Sequence, residues 1–382
     1  MRRVAAWAAV CGLASAACAR PEGAPAIEPA YATTAGSIAI ANLDQQIEQA
    51  SGDAARMELL LERSRFLGDY AALDRASRIA ERRSETADDL VRRARARAAV
   101  HRFADALRDV EAAERVGAPR DQWAALRASI LVATGRASDV VPQLEADVVR
   151  RPGFASRSAL AGAYAAVGRL EEADALYAQA LADLDTTLPF PYAWVYFARG
   201  LMWTEQGGDS TRGASLYAQA LVHVPEFVAA NIHLAEIDAA RGKARSAMGR
   251  LDRLASSDEP EAVALLGRLH LGTGDRARGL EEIAHARRRF ELLLQQHALA
   301  FADHAAEFYL GPGADVERAW ALAAQNLANR ETPRALTLAL KAARASGRVA
   351  EARTLAARAA VDSVRFHLAA PSPHLGREHS AH

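Results

Sequence analysis

The chain has 382 residues, 51% of them hydrophobic, enough for a large core, and its 47 basic side chains balance 47 acidic ones. That balance excludes a global basic field for nucleic acid. Both cysteines, Cys11 and Cys18, sit at the start, so the rest of the chain has no disulfide framework, no cysteine-ligated zinc and no cysteine nucleophile.

The first segment, MRRVAAWAAVCGLASAACARPEG, has a basic start at Arg2 and Arg3 and an apolar run from Val4 to Ala17. The run is too short to span a bilayer but suits the core of a signal peptide. Ser15-Ala16-Ala17 precede Cys18. This resembles the bacterial lipoprotein signal, in which the mature chain begins at a lipidated cysteine. The resemblance implies a signal peptide over 1–17, lipid attachment at Cys18 and a membrane-anchored protein of the cell envelope. Ser15 stands where that family usually has leucine, and secretion with cleavage near Ala17 is the alternative. Ala19 replaces the aspartate that in many such proteins causes inner-membrane retention. The expected location is therefore the outer membrane facing the periplasm, with a secreted or periplasmic protein as the alternative. Residues 18–53, with Pro21, Pro25 and Pro29, read as a tether in which IAIANLDQQIEQAS can form a short helix. No later run is apolar enough for a second membrane segment.

From residue 54, glycine-polar turns recur at Gly68, Gly135, Gly168, Gly208, Gly242, Gly274 and Gly347. His101 and Gly313 take the turn place in the two double-length gaps, giving nine units of period near 34. Leu160-Ala161 and Tyr164 precede one turn, and Ala173, Tyr177 and Ala180 follow it; Leu234-Ala235, Ala247 and Leu251 repeat the scheme. Small residues let paired helices approach, an aromatic fills between them, and the turn glycine ends the first helix. The pattern resembles the tetratricopeptide repeat family over about 54–360. The resemblance implies an all-α, right-handed superhelical solenoid of about nine hairpins, whose groove binds peptides or partner proteins. Two units depart: Arg93-Ala94 replaces the usual Leu-Gly pair, and Glu307 lies where a small residue is expected.

Chaperone-binding members of that family carry a carboxylate clamp of Lys, Asn and Arg on the first helices. The matching places here hold residues such as Val91, Ser129, Met202, Glu236 and Arg268, so no clamp is present. The long unit at 186–203, TTLPFPYAWVYFARGLMW, concentrates Phe190, Tyr192, Trp194, Tyr196, Phe197 and Trp203. Two readings stand. Interfaces favour Trp and Tyr, which makes Phe190, Tyr192, Trp194, Tyr196, Met202, Trp203, Glu236 and Arg268 partner-binding candidates. Alternatively, an insertion opens space that aromatics fill as core.

The second long unit, His285 to Phe308, reads as a lengthened helix. His297 and His304 are two turns apart on a straight helix and cannot share an ion, whereas His304 and Glu307 can. The tail over 361–382 reads as disordered, and its His367, His374, His379 and His382 could gather a metal. An envelope metal-handling protein is thus the alternative to a scaffold. There is no GxSxG, phosphate loop or HExxH. The sequence reading is a non-enzymatic, cofactor-free adaptor that binds a protein partner, reaches the membrane through its lipid and does not bind nucleic acid.

Overall fold

The computed structural model describes residues 31–369 except 83–85, 255, 256 and 258, with side chains up to residue 360. The signal segment, Cys18, the proline-rich stretch and residues beyond 369 lie outside the described residues. All regular structure among the described residues is helical. Helix α1 (Gly36–Gln49) precedes a series of hairpins: α2 (Asp53–Leu67) with α3 (Tyr70–Ala80), α4 (Ala87–Ala99) with α5 (Phe103–Arg115), and α6 (Arg120–Ala133) with α7 (Val141–Arg150). There follow α8 (Phe154–Ala166) with α9 (Leu170–Ala182), α10 (Pro189–Glu205) with α11 (Ser210–His223), and α12 (Val228–Ala240) with α13 (Ala244–Leu251). Then come α14 (Pro260–Thr273), α15 (Arg276–Leu310), α16 (Val316–Asn329), α17 (Pro333–Ala345) and α18 (Val349–Ala369).

Helix α15 serves two hairpins. It breaks at His297, whose φ of −142° and ψ of 60° are not helical. Its first part closes the hairpin begun by α14, and its second part opens one closed by α16. The described chain therefore holds nine hairpins, as the repeat period required. The single lengthened helix expected over 285–308 is instead two helices meeting at His297. Packing of both halves against different partners overrides the continuous helical pattern. The body also begins earlier than residue 54, because α1 buries Leu43 and Ile47, and α18 runs on past 360.

Each hairpin turn contains one residue in the left-handed region. These are Gly68, His101, Gly135, Gly168, Gly208, Gly242, Gly274, Ala314 and Gly347, with φ between 47° and 97°. Eight of the nine stand at the expected positions. In the eighth turn Ala314, not Gly313, takes the positive φ. Gly313 is needed for proximity instead: a Cβ there would lie 2.6 Å from the Phe308 ring. Side-chain caps from Asp69, Thr86, Asp209, Asp275, Asp315 and Thr332 satisfy helix N-termini.

Within hairpins the small residues do what their spacing demands. Ala161, Ala173, Ala235 and Ala247 are fully buried. A Cβ on Gly200 would meet the Tyr217 ring at 2.7 Å, and Gly267 and Gly279 approach each other's carbonyls. In the hairpin lacking Leu-Gly, Arg93 and Arg97 bond the buried Asp109 at 2.7 and 2.8 Å. Where Glu307 replaced a small residue, the buried Ala302, Ala305 and Ala306 supply the close approach, and Glu307 points outward.

From Thr33 onward the described chain is one compact unit, and the array closes on itself. Turns of the first three hairpins meet the later ones. Phe66 packs between Phe190 and Phe227, at ring separations of 4.9 and 4.8 Å. The Tyr70 hydroxyl donates to Glu259, and its ring meets Phe301 edge-on at 4.8 Å. His101 lies 3.2 Å from the Leu299 carbonyl through Nδ1, and its own carbonyl accepts from Asn329 at 3.0 Å. Gly135 abuts the Glu331 carbonyl so closely that a Cβ would clash. Among the described residues no helix is long and apolar enough to cross a membrane.

Candidate partner-binding site

The aromatic unit sits in α10, and its prolines at 189 and 191 start the helix, where a missing N–H costs nothing. Most of its side chains face inward. Phe190, Tyr192, Tyr196, Met202 and Trp203 are all buried. Tyr192 donates to the Thr186 carbonyl at 3.1 Å and stacks on His223, as Tyr196 does. Trp203 donates its indole N–H to Asp174 at 2.9 Å, and Arg199 and Arg212 bond the same carboxylate. Burial raises the carboxyl's pKa, but these three donors outweigh it and hold Asp174 below the usual range. These five candidates are core in this fold and do not present a surface to a partner. Their burial has local and distant sources: Phe66 of α2 covers Phe190, whereas His223 of α11 stacks on Tyr192 and Tyr196, and Asp174 of α9 holds Trp203.

Trp194 differs. It keeps 39% of its surface accessible. The Arg65 guanidinium from α2 lies 5.2 Å over its ring, and Phe197 flanks it at 6.0 Å. Arg65 is in turn beside Glu62 and Glu58 of its own helix, and Arg95 of α4 is close by. Burial lowers the Arg65 pKa, the two glutamates oppose it, and Arg95 adds to it. Glu236 on α12 and Arg268 on α14 occupy equivalent places of consecutive first helices, and both are exposed. Glu236 meets His233 at 3.1 Å, whereas Arg268 has no hydrogen bond or ion pair among the described residues. The accessible set is therefore an aromatic face, a guanidinium stacked on it and two oppositely charged neighbours along first helices. Such a set can recognise an extended segment by stacking and ion pairing.

A second cluster was not visible in the sequence as a unit. His304 contacts Glu261 at 2.5 Å through Nδ1 and lies 3.7 Å from Asp303 through Nε2. Asp303 also pairs with Arg330, and Arg334 bonds Glu205 at 2.8 Å and Glu307 at 3.5 Å. Burial works against the imidazolium of His304, but the charges of Asp303 and Glu261 outweigh it and push its pKa up to about 10. Burial likewise opposes the Asp303 carboxylate, yet His304 and the arginines bring it down to about 2. Glu259, buried and beside the charge of Glu261, is raised. Burial lowers His101 to about 4, so it is neutral near pH 7.

These contacts correct the metal reading of the central histidines. His297 reaches toward Asp74 at 3.8 Å, His304 is held by Glu261, and Glu307 turns to Arg334. The three do not converge. Among the described residues, no three His, Cys, Asp or Glu side chains are grouped to hold a metal ion. The tail histidines lie outside the described side chains.

No protein-family model and no curated protein matches the sequence. Solved structures share similarity at low identity. The Cut9–Hcn1 hetero-tetramer of APC/C aligns at 13% identity and TM-score 0.48, over 88% of this chain and 67% of that one. A Rap protein complexed with Competence and Sporulation Factor aligns at 13% and 0.48, over 87% of this chain and 98% of that one. A tetratricopeptide repeat protein from Parabacteroides merdae ATCC 43184 aligns at 14% and 0.39, over 68% and 99%. The all-α hairpin array is established by the helices themselves.

Proposed function

We propose that this protein is a non-enzymatic adaptor that captures a protein or peptide segment on its first helices around Trp194, while a lipid on Cys18 holds it at the envelope membrane. The carrying observation is that Trp194, alone among the aromatic candidates, is accessible, with Arg65 stacked over it. A solvated tryptophan beside an arginine is the composition that concentrates binding energy in protein interfaces. Glu236 and Arg268 extend the site along neighbouring helices and select a segment carrying both charge signs. The absence of reactive motifs from the sequence supports binding in preference to chemistry.

Crosslinking in the native host's membranes, followed by mass spectrometry, tests the reading. One dominant partner crosslinked near Trp194, and lost by about tenfold or more in Trp194→Ala with an unchanged melting temperature, is the expected result. Equal capture by wild type and Trp194→Ala would remove the site. The anchor has its own test: metabolic fatty-acid labelling, abolished in Cys18→Ser. An unlabelled wild-type chain overturns the anchor and leaves capture standing.

A further inference from the structure

A cavity of about 840 Å³ lies where α1 and the α2–α3 turn meet α12, α13 and α15. Its size falls in the range of small-molecule sites. It shares no lining residue with the Trp194 cluster. Ile40, Leu67, Val228 and Leu254 give it apolar wall, and Arg63, Arg250, Arg253 and Arg289 bring four guanidinium groups to it against two carboxylates, Asp69 and Glu226.

The cationic excess is uneven. Arg63 is neutralised between Asp44 and Asp69, and Asp69 also caps α3. Arg250 is different. Its ion pair with Asp238 is long, at 3.7 Å, that carboxylate also accepts from Ser246, and the buried Arg250 Nε has no hydrogen-bond partner among the described residues. Arg253, three residues on, is exposed and makes no hydrogen bond or ion pair among the described residues. Two like charges at this spacing share one side of the turn and repel. Arg250 has only its long pair with a shared carboxylate, and Arg253 has no acid in contact among the described residues, although the chain supplies acid partners to most of its other arginines. Guanidinium groups in excess of carboxylates at a partly apolar cavity focus a positive potential there.

We infer that this cavity binds a small organic anion, its carboxylate or phosphate held by Arg250 and Arg253 and its apolar part lying on Ile40, Leu67, Val228 and Leu254. Guanidinium groups recognise both anions in the same forked geometry. Glu226, the lining acid without a partner among the described residues, opposes the ligand and limits its affinity.

Calorimetric titration of the full-length chain with phenyl phosphate and phenylacetate tests this, with benzyl alcohol as the neutral control. The expected result is saturable one-to-one binding of at least one anion, and the tighter of the two tells phosphate from carboxylate. Arg250→Gln with Arg253→Gln should weaken it about tenfold or more, as loss of charge-assisted bonds does. Glu226→Gln should tighten it several-fold and, being an exposed change, keeps the test valid if the double variant melts early. Three results would overturn the site: no saturable binding of either anion, benzyl alcohol binding as well as the anions, or affinities unchanged in Glu226→Gln and the double variant alike.

Discussion

Two long units of the array meet the same N-terminal hairpin, and they do so by opposite chemistry. The unit at α10 receives Phe66 among Phe190, Phe197 and Phe227. The unit at the second half of α15 receives Tyr70 beside Phe301, at the edge of a charged cluster of Glu259, Glu261, Asp303, His304 and Arg330. The first joint is apolar, roughly proportional to area and indifferent to pH. The second depends on each charge finding its partner, because an unpaired buried charge costs more than a lost contact. One closure therefore has a part that resists titration and a part that responds to it.

The comparison breaks most severely on the apolar side. Phe66 is 2% exposed and Phe227 1%. Either changed to alanine should lower unfolding free energy by about 3–5 kcal/mol in urea titrations, equally at pH 6 and pH 9. A loss below 1 kcal/mol would mean that the joint is not closed in solution.

On the ionic side, Asp303→Asn leaves Arg330 and His304 without their shared carboxylate. The expected loss is about 3 kcal/mol at pH 7, and it should shrink as pH falls from 3.8 towards about 2, where the wild-type carboxylate also protonates. A pH-independent loss would assign Asp303 a packing role only.

Titration sharpens the contrast further. The His304 pKa rises from 6.5 to about 10 on folding, so the folded chain binds more protons between those values. Its contribution is full below pH 6.5 and is lost as pH rises towards 10. Glu259, raised by burial from 4.5 to about 7, acts in the same direction but only over that lower range. Solvent reaches 34% of the His304 side chain and screens the pair. The melting temperature should fall from pH 7 to 10, and His304→Gln should flatten that fall. An unchanged slope would exclude His304 as its source.

The smallest effect is expected at His101→Gly. Glycine relieves a left-handed residue at φ 55° but removes the ring's contact with Leu299. Strain and contact are each about 1 kcal/mol, so stability should change by less than about 1 kcal/mol. A larger loss would show that the imidazole, and not the turn, is the important part of the seam.

Much of this was legible in the residues. The turn spacing marked the nine hairpins, and Ala161, Ala173, Ala235 and Ala247 sat where helices must approach. His101 was placed correctly as a turn residue, although its seam contacts were not foreseeable. Ala314 escaped because Gly313 offered a more permissive residue one place earlier, and contact with Phe308 reserved that glycine for another purpose. The break at His297 escaped because nothing in its neighbourhood, neither proline nor glycine, interrupts the helical pattern.

By itself the sequence determined what is local and periodic: helix, turn, cap and the pairing of neighbours, since each follows from residues at most one repeat apart. The tertiary structure decided the closure, and with it which aromatics are core and which one is left accessible. Tyr70 and Glu259 are 189 residues apart in the chain. No period links such a pair, and each alone reads as a surface residue. Only the accumulated rotation of the hairpins brings them together, and that rotation also sets Phe66 on Phe190 and Arg65 over Trp194, which stays accessible.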